Sequence, residues 1–581
     1  MPHRYLSEKS YTLFHIASPE SPDPEIPSTS ITPIMSGHEI VKIKLDGKTF
    51  LDIDNGLYSE IYDRISSSII VVYTNRSSGF TKLLNEFNER GIGRVDFHRR
   101  RGETYESYGQ IHYTGERISI RGKICIDSDS FIYSEAGIAG IMEVSRISRL
   151  PPQTASIVTP GTAVSALELS EAIRFGILVP SYKDDHENPK PLSLLRLADR
   201  GGLTLQPDPG LYWNTSEIDF SSMYPSIIVR YNLSPETFGD GDYVVPELGY
   251  RVRSSPRGFL SGALEKLLER RLFYKSVRDK NPTYRNRDTA LKWLLLTSFG
   301  YTGYKNAKFG KIEVHESITA IGRWALSAAI EEAQEMGFRI VHGIVDSLWV
   351  SGDGGIEELL QRIKDRTRID IVVDSRYKWV LFPPARDGYG SPGSYIGWRY
   401  DNTFKIRGLD LRRKNVPGIC RDFQRSAASL FSSCSNDTEV LAKKHDLENM
   451  KKQFAAKLQL ADAEDLSLRF HVTRRPEEYA VNTVTRKLLN DLKKSGIELN
   501  PGESVDAVVV DRRSGIFSKN GEWHGFDREM YMKMLERSFE PFDFMIKSAE
   551  KNLASSGHDR KNVLNLSRKH ADRYVTDLYD F

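Results

Sequence analysis

Two strand-like segments that lie far apart in the sequence each carry a carboxylate among apolar residues. Asp219 stands in SEIDF, and Asp346 stands between Val345 and Ser347 in VHGIVDSLWV, residues 341–350. An ionised carboxylate in a hydrophobic strand is costly unless it is paired or holds a metal ion. If the two strands lie side by side, divalent cations would relieve the repulsion between the carboxylates, and oxygen ligands beside a phosphate suit Mg²⁺. The alternative is that each Asp is a strand-end or turn residue that binds backbone, which is the commoner role of a single Asp.

The residues that follow Asp219 favour the metal-site interpretation. The string DFSSMYPSII covers residues 219–228. We expect Pro225 to end the strand and SSMY to form a turn, whose amide groups could face a triphosphate. Tyr224 would then lie flat beside whatever is bound there. Two Mg²⁺ ions bridged by the carboxylates would activate one oxygen and stabilise the leaving oxygen of an in-line phosphoryl displacement.

Two helical segments carry cations that such a site needs. Residues 260–280 are amphipathic at helical spacing, and residues 285–300 form the second segment, for which Gly300 is a plausible end. Arg271 and Lys275 are four residues apart and therefore lie on one helix face. A solvated helix face is the alternative interpretation of these two cations.

Four segments together resemble the motifs of the family B DNA polymerases. DFSSMYPSII closely resembles the first palm motif of that family. RNRDTALKWLLLTSFGY, residues 285–301, resembles the fingers motif, which normally reads Arg-Gln-x-Ala-Leu-Lys and then Asn-Ser-x-Tyr-Gly. HGIVDS, residues 342–347, resembles the third motif, usually Tyr-Gly-Asp-Thr-Asp-Ser, and residues 404–418 resemble the start of the thumb. The resemblance covers about residues 135–581 and is nearest to the short archaeal enzymes of the second B group.

The resemblance implies an α+β multidomain fold. This is a right-hand polymerase with palm, fingers and thumb, preceded by a degenerate exonuclease-like α/β domain. The implied division is 1–195 for the N-terminal domain, 196–395 for the palm with fingers helices inserted at about 256–310, and 396–581 for the thumb. The implied activity is DNA-templated addition of deoxynucleotides to a primer 3′-OH.

By match to the family, Asp219 and Asp346 are the implied catalytic residues and metal ligands. The carbonyl of Phe220 would complete a site for two Mg²⁺ ions, for which Mn²⁺ can substitute. The residues implied in substrate binding are Ser222, Met223, Tyr224, Arg271, Lys275, Lys292, Phe299 and Gly300. Ser222 and Met223 would offer backbone amides to the triphosphate, and Tyr224 would be a steric gate against a 2′-OH. Arg271, Lys275 and Lys292 would clamp the β- and γ-phosphates. Phe299 and Gly300 would pack against the nascent base pair.

Several positions depart from the family's motifs. Ile344 replaces the first Asp of the third motif, Asp288 replaces the Gln of the fingers motif, and Leu296 replaces its Asn. The stretch that keeps Tyr395 lacks the basic pair that family members place before it. Because less negative charge would stand near to hold cations, the sequence predicts slow or low-fidelity synthesis, of a repair or translesion type. A catalytically weak or silent DNA-binding accessory protein is the alternative.

The N-terminal region offers poor candidates for a proofreading exonuclease. Family members need an Asp-x-Glu strand and a Tyr-x-x-x-Asp helix. Asp52 and Asp54 lie on one strand face in FLDIDNG, with Asp where Glu is expected, and Asp23 lies in a Pro-rich segment. YSEAG has Gly137 where the helix motif needs Asp. The sequence therefore predicts a shrunken or inactive exonuclease relative that serves as a scaffold.

Composition restricts the partners and the compartment. A formal net charge of +3 does not by itself identify a nucleic-acid partner. Residues 405–414, KIRGLDLRRK, carry five cations against one Asp, and their position favours a DNA-facing role over a solvated surface. Three cysteines without a CxxC pair fit a reducing, intracellular compartment. The resemblance implies a cytoplasmic, nucleoid-associated location. The implied partners are primer–template DNA, deoxynucleoside triphosphates and replication or repair factors, with no membrane.

Overall fold

The computed structural model describes most of the 581-residue chain. The described residues are 25–36, 39–75, 78–107, 110–114, 116–181, 183, 186–352, 354–413, 415–494, 497–518 and 525–556. Asp23, one of the exonuclease candidates, lies outside them.

The first part of the chain forms a mixed five-stranded sheet and two separate two-stranded ladders. Its strands are β1 (Ser28–Ser36), β2 (Glu39–Leu45), β3 (Lys48–Phe50), β4 (Ile70–Tyr73), β5 (Phe97–Arg100), β6 (Glu103–Ser107), β7 (Gln110–Thr114), β8 (Arg117–Ile120) and β9 (Ile124–Asp127). The sheet has the order β3-β2-β1-β4-β9, and β4 pairs in parallel with both of its neighbours. All residues of β4 are buried, as expected for a parallel strand inside a sheet.

Two helices, α1 (Asn55–Ser67) and α2 (Gly79–Glu89), complete the first part of the chain. Asp54 is the N-cap of α1, because its Oδ1 accepts a hydrogen bond from the Leu57 amide at 2.8 Å. Asp52 is exposed to solvent. One of the two candidate exonuclease acids therefore serves a helix end, and the other faces water.

Four helices lead from this sheet to the centre of the chain. They are α3 (Phe131–Ser148), α4 (Pro152–Ile157), α5 (Pro160–Arg174) and α6 (Leu192–Ala198). Proline is the first residue of α4 and of α5, a position where its missing N–H is not needed. Gly137 has a φ of 58° and kinks α3, so the position where the exonuclease motif needs Asp is a bend without a side chain.

The centre of the chain is built on a seven-stranded antiparallel sheet. The strands of this region are β10 (Thr204–Leu205), β11 (Gly210–Phe220), β12 (Phe238–Val244), β13 (Arg251–Val252), β14 (Arg339–Ile344), β15 (Ser347–Ser351), β16 (Ile371–Phe382), β17 (Tyr395–Arg399) and β18 (Phe404–Arg407). The order in the sheet is β10-β14-β15-β11-β16-β17-β18, and β12 pairs with β13 apart from it. The long strand β11 therefore lies between β15 and β16.

The structure differs from the sequence expectation at two places near the centre of this sheet. VHGIVDSLWV is not one strand but a hairpin, in which Val345 and Asp346 form the turn between β14 and β15. Pro225 does not end a strand, because β11 already ends at Phe220 and α7 (Met223–Arg230) begins inside SSMY. Pro225 lies in the first turn of α7, where a helix does not need its N–H.

Four longer helices surround the central sheet. They are α8 (Phe259–Val277), α9 (Pro282–Thr302), α10 (Ile312–Glu335) and α11 (Ile356–Thr367). A short connection joins α8 to α9, and α9 packs against α3 and α5 as well as against α8. Gly300 does not end α9, which continues to Thr302 and is capped by Gly303.

A buried carboxylate, Glu143, joins α3 to the pair formed by α8 and α9. It accepts hydrogen bonds from Arg270 Nε at 2.8 Å and from Tyr274 Oη at 3.0 Å, both on α8. It also binds Arg146 on α3, and Arg287 Nε on α9 lies 4.0 Å from its Oε2. Glu143 and Arg287 are both fully buried, so each charge depends on the others for compensation.

The last part of the chain is mainly helical, and its core is continuous with central-sheet residues such as Leu211, Trp379 and Leu381. Its elements are α12 (Gly418–Leu430), α13 (Asp437–Ala442), α14 (Lys444–Gln459), α15 (Ala463–Leu466), β19 (Leu468–His471), α16 (Val484–Lys494), β20 (Ser504–Asp511), β21 (Ile516–Ser518) and α17 (Arg528–Ser556). Short 3-10 helices lie at Pro235–Thr237, Asp410–Arg412 and Pro476–Glu478. Across the described ranges, no helix combines the length and the apolar character that crossing a membrane requires. The domain boundaries at 195 and 395 stay predictions.

Candidate active site

The central sheet brings Asp219 and Asp346 together. Asp219 on β11 pairs with Ser347, the first residue of β15. Ser347 Oγ donates to Asp219 Oδ2 at 2.7 Å, and the Phe220 amide donates to the carbonyl of Asp346 at 2.8 Å. Both Asp side chains are partly exposed. Backbone pairing therefore makes neighbours of the two carboxylates that the sequence singled out.

The two carboxylates repel each other. Burial and then the charge of Asp346 raise the pKa of Asp219 to about 6, and hydrogen bonding by Ser347 opposes this rise. Burial also raises the pKa of Asp346. A divalent cation between the two would relieve the repulsion, so this donor set fits one. No group of three or more His, Cys, Asp or Glu in the described part of the chain is arranged to hold a metal ion, and Ile344 occupies the position where the family motif has a further Asp.

A double-glycine segment that the sequence reasoning missed supports the turn between β14 and β15. Val345 has a φ of 53°, which is unusual for a β-branched residue, and its amide donates to the carbonyl of Leu203 at 2.9 Å. A Cβ on Gly202 would lie 2.9 Å from Val345 Cγ2. Arg323 Nη1 donates to the carbonyl of Gly201 at 2.6 Å. The Gly-Gly pair in the sequence could have indicated this contact, because residues without side chains permit such a close approach.

A second acidic pair, Glu217 and Asp374, lies beside Asp219 and shares one lysine. Glu217 precedes Asp219 by two residues on β11, so both side chains lie on one face of the sheet. Lys405 Nζ binds Glu217 at 2.7 and 2.8 Å and Asp374 Oδ2 at 2.7 Å. Tyr377 Oη also donates to Glu217. Lys405 was predicted to face DNA as part of residues 405–414, but it is engaged inside the sheet region.

Ser222 and Arg271 connect the sheet to the helix pair. Ser222 has a φ of 50° and immediately precedes α7, whose first amide groups are a favourable environment for phosphate. Arg271 Nη1 on α8 donates to Ser222 Oγ. Arg271 Nε also donates to Asp288 Oδ1 on α9 at 3.2 Å. The side chain of Met223 is buried, which leaves its backbone as the part available to a ligand.

Lys275 and Lys292 are the other two predicted cations. Lys275 on α8 and Lys292 on α9 are both exposed. The charge of Lys275 lowers the pKa of Asp219 and so works against the effect of burial. The charge of Lys292 does the same for the pKa of Asp346. The helix pair therefore directs positive charge toward the two carboxylates.

Three aromatic rings form a stack where α7, α9 and α10 meet. The ring centroid of Tyr224 lies 4.3 Å from that of Phe299, and Phe299 lies 4.3 Å from His315. A Cβ on Gly322 would lie 3.1 Å from the Tyr224 ring. Burial and then the charge of Asp346 raise the pKa of Tyr224 to about 12. Tyr224 is thus held by its neighbours on more than one side and lies near the carboxylates.

The remaining predicted positions are less informative. Gly300 follows Phe299 on α9 and is partly exposed. Tyr395 is buried. That the residues gathered here bind substrate remains a prediction.

One family model matches the chain. It is that of DNA polymerase family B, and the match covers residues 161–351. This range contains Asp219, Asp346 and the helix pair.

Curated relatives with the most similar sequences are archaeal DNA polymerases. DNA polymerase 2 of Saccharolobus solfataricus is 35% identical over 309 residues, which are 53% of this chain and 47% of the relative. DNA polymerase 2 of Aeropyrum pernix is 28% identical over 396 residues, 65% of this chain and 46% of the relative. A DNA polymerase of Archaeoglobus fulgidus is 27% identical over 386 residues, 64% of this chain and 46% of the relative. The chain thus spans about half the length of the curated relatives that it matches.

A solved structure shares the fold over most of the chain. The family B DNA polymerase of the hyperthermophilic archaeon Pyrobaculum calidifontis superposes with a TM-score of 0.63 and 21% sequence identity. The match covers 90% of this chain and 78% of that chain. The fold is therefore that of an α+β polymerase, as the sequence predicted.

Proposed function

Because the chain is related to the family B DNA polymerases of archaea, we propose that it is a DNA-directed DNA polymerase. It would add deoxynucleotides to the 3′-OH of a primer paired with template DNA. The observation that carries this proposal is the meeting of Asp219 and Asp346 at adjacent strand ends, opposite cations on two helices. Such an arrangement suits a nucleoside triphosphate. Its negative phosphates would face the cations of the helices, and the divalent cations that accompany it would face the carboxylates.

Asp219, Asp346 and the carbonyl of Phe220 are the groups that would hold divalent cations, Mg²⁺ or Mn²⁺. When bound, such cations supply activation of the attacking 3′-oxygen and stabilisation of the leaving oxygen. The Ser347 hydroxyl positions the Asp219 side chain through its bond to Oδ2. The hydrogen bond between Phe220 and Asp346 keeps the two strand ends in register.

The nucleotide would lie between the start of α7 and the helix pair. The amides of Ser222 and Met223 would donate to its phosphates. Arg271, Lys275 and Lys292 would neutralise the triphosphate, since hydrogen bonds from cations to phosphate are among the strong ones.

Tyr224 would select the sugar. Its ring is fixed by Phe299 on one side, and the lack of a side chain at Gly322 allows α10 to approach the ring closely. A ring held in this way cannot withdraw from a 2′-OH, so a ribonucleotide would clash with it. The selection is steric and would not need a hydrogen bond to the sugar.

Primer–template DNA would be bound mainly through its phosphates, and binding should weaken steeply with salt. Arg407 on β18 is exposed and available for such contacts. Synthesis would proceed without proofreading, because Asp54 caps α1, Asp52 is exposed and Gly137 carries no carboxylate. With two carboxylates at the site instead of three, we expect slow or low-fidelity synthesis of a repair or translesion type.

Primer extension with Mg²⁺ on a labelled primer–template tests the proposal. Asp219→Ala and Asp346→Ala should each lower the extension rate by at least about a thousandfold, a rise of about 4 kcal/mol in the barrier. Both variants should still bind DNA, which a gel-shift titration checks. Extension that survives both substitutions would refute the assignment of the site.

A silent DNA-binding accessory protein is the second candidate, and Ile344 is the observation that favours it. This function predicts DNA binding by the wild type with no extension on several primer–templates, in Mg²⁺ or in Mn²⁺. A nuclease is not supported by the described residues of the N-terminal sheet.

A further inference from the structure

Asp288 is a buried acid among the cations of the helix pair. It lies on α9 on the side that packs against α8, and 5% of it is exposed. It stands where the family's fingers motif has a neutral Gln. A negative charge so close to a triphosphate site requires a reason, because on simple electrostatic grounds it would repel the ligand.

With its two oxygens, Asp288 binds Arg271 of α8 and Arg278, the residue that caps the end of α8. Arg271 Nε donates to Oδ1 at 3.2 Å, and Arg278 Nη1 donates to Oδ2 at 3.3 Å. The two arginines are seven residues apart, so they lie two turns apart on one face of α8. Asp288 therefore occupies a point that both guanidinium groups can reach.

Arg271 extends from Asp288 to the sheet. While its Nε binds Asp288, its Nη1 donates to Ser222 Oγ just before α7. A guanidinium group is planar and rigid, so two contacts at different nitrogens fix its orientation. The Arg271 side chain is 15% exposed, compared with 42% for Arg278. Arg271 is thus the more enclosed of the two partners and the one that reaches the proposed triphosphate site.

We propose that Asp288 is a positioning residue that fixes the guanidinium of Arg271 against Ser222 and so presets a cation for the triphosphate of the incoming nucleotide. This inference rests on the proposed function. Without Asp288, Arg271 would be repelled by Arg278 and Lys275 and would regain its rotamer freedom. The nucleotide would then have to order Arg271 on binding, which lowers affinity.

Two other roles of Asp288 make different predictions. If Asp288 only ties α9 to α8, its loss should lower stability and leave nucleotide affinity unchanged. If its main effect is to repel the triphosphate, its loss should tighten nucleotide binding. The positioning role alone predicts weaker binding that depends on Arg271.

The experiment measures the dissociation constant of a deoxynucleoside triphosphate for the full chain bound to primer–template, by calorimetry with Ca²⁺ in place of Mg²⁺. Asp288→Ala should raise this constant about tenfold, and Asp288→Asn, which keeps one acceptor oxygen, should raise it less. In an Arg271→Met background, Asp288→Ala should have no further effect, because a residue that acts through another loses its effect when that residue is gone. Asp279→Asn is the matched control, since Asp279 is an exposed acid that pairs with Arg285 near the end of α8.

Arg278→Met separates positioning from a helix tie. It removes the second partner of Asp288 and should change the unfolding temperature about as much as Asp288→Ala, with less effect on nucleotide affinity. The inference would be overturned if Asp288→Ala and Arg278→Met had equal effects on nucleotide affinity. It would also be overturned if the effects of Asp288→Ala and Arg271→Met were fully additive, or if Asp288→Ala bound nucleotide more tightly. A wild-type chain that extends no primer yet binds nucleotide would overturn the proposed polymerase alone, and one that binds no nucleotide would overturn both.

Discussion

The two sides of the candidate site are held in place by different kinds of interaction. On the sheet side, formed by Asp219 and Asp346, the carboxylates are placed by strand pairing and by a backbone hydrogen bond at Phe220. On the helix side, formed by Arg271, Lys275 and Lys292, the cations stand on two helices, and the contacts that orient Arg271 are made by side chains. Backbone pairing tolerates many side-chain changes, whereas an ion pair fails with one substitution. The placement of the two carboxylates should therefore tolerate substitutions around them, whereas the orientation of Arg271 should be sensitive to single substitutions.

The sharpest way to test where the two sides meet is Tyr224→Ala. Tyr224 follows the sheet side in sequence and packs on Phe299 of the helix side. Because the proposed exclusion is steric, the variant should incorporate ribonucleotides at least about tenfold more readily relative to deoxynucleotides. Competitive primer extension with both nucleotide types measures this ratio. Phe299→Leu is the control for loss of the aromatic contact alone, and unchanged sugar discrimination in Tyr224→Ala would remove Tyr224 from the site.

A smaller effect is expected from Ile344→Asp on the sheet side. The substitution restores an acid at the end of β14, beside the Asp346 turn, and should strengthen cation binding by adding negative charge. We expect the Mg²⁺ concentration that gives half-maximal extension to fall a few-fold. Ile344→Asn supplies the matched neutral control. An identical Mg²⁺ dependence in all three proteins would show that charge does not limit the sheet side.

The smallest effect concerns stability at Glu168 of α5, a helix that packs against both helices of the helix side. The Glu168 side chain is buried, and burial raises its pKa to about 8 from an ordinary 4.5. The folded chain thus holds a proton that the unfolded chain releases between about pH 4.5 and 8. Its contribution to stability is full below this window and is lost as the pH rises through it, with a limiting slope of about 1.4 kcal/mol per pH unit.

Glu168→Gln should remove that slope, so its unfolding temperature should exceed that of the wild type more at pH 8 than at pH 5. Glu171→Gln on the same helix is the control, because Glu171 is already paired with Arg174 and Lys266. Thermal unfolding followed by circular dichroism at the two pH values is the measurement. A difference that does not change with pH would contradict the assigned titration.

Local patterns in the sequence singled out the two carboxylates of the sheet side but mistook the backbone structure around them. The strings around Asp219 and Asp346 identified the carboxylates, yet Asp346 was placed within a strand although it lies in a turn. Apolar residues on both sides of a two-residue turn resemble one continuous strand, so hydrophobicity alone could not separate the two. The helix start at Met223 was missed because Pro225 suggested an ending, whereas proline is tolerated in a first helical turn.

The partners of the charged residues could not be predicted. Lys405 and Glu217 are 188 residues apart, and no local pattern connects them. The departure at Asp288 was visible in the sequence, but its partners depend on the packing of α8 against α9. The fold could be predicted from local motifs, while the electrostatic state of the site follows from long-range packing.

Glu143 links the N-terminal helix α3 to the helix pair, and this has a mechanical consequence. Separating Glu143 from Arg270 and Tyr274 would break buried, charged hydrogen bonds between α3 and α8, at a cost of several kcal/mol. Any movement of α8 and α9 that keeps these contacts would therefore carry α3 with it.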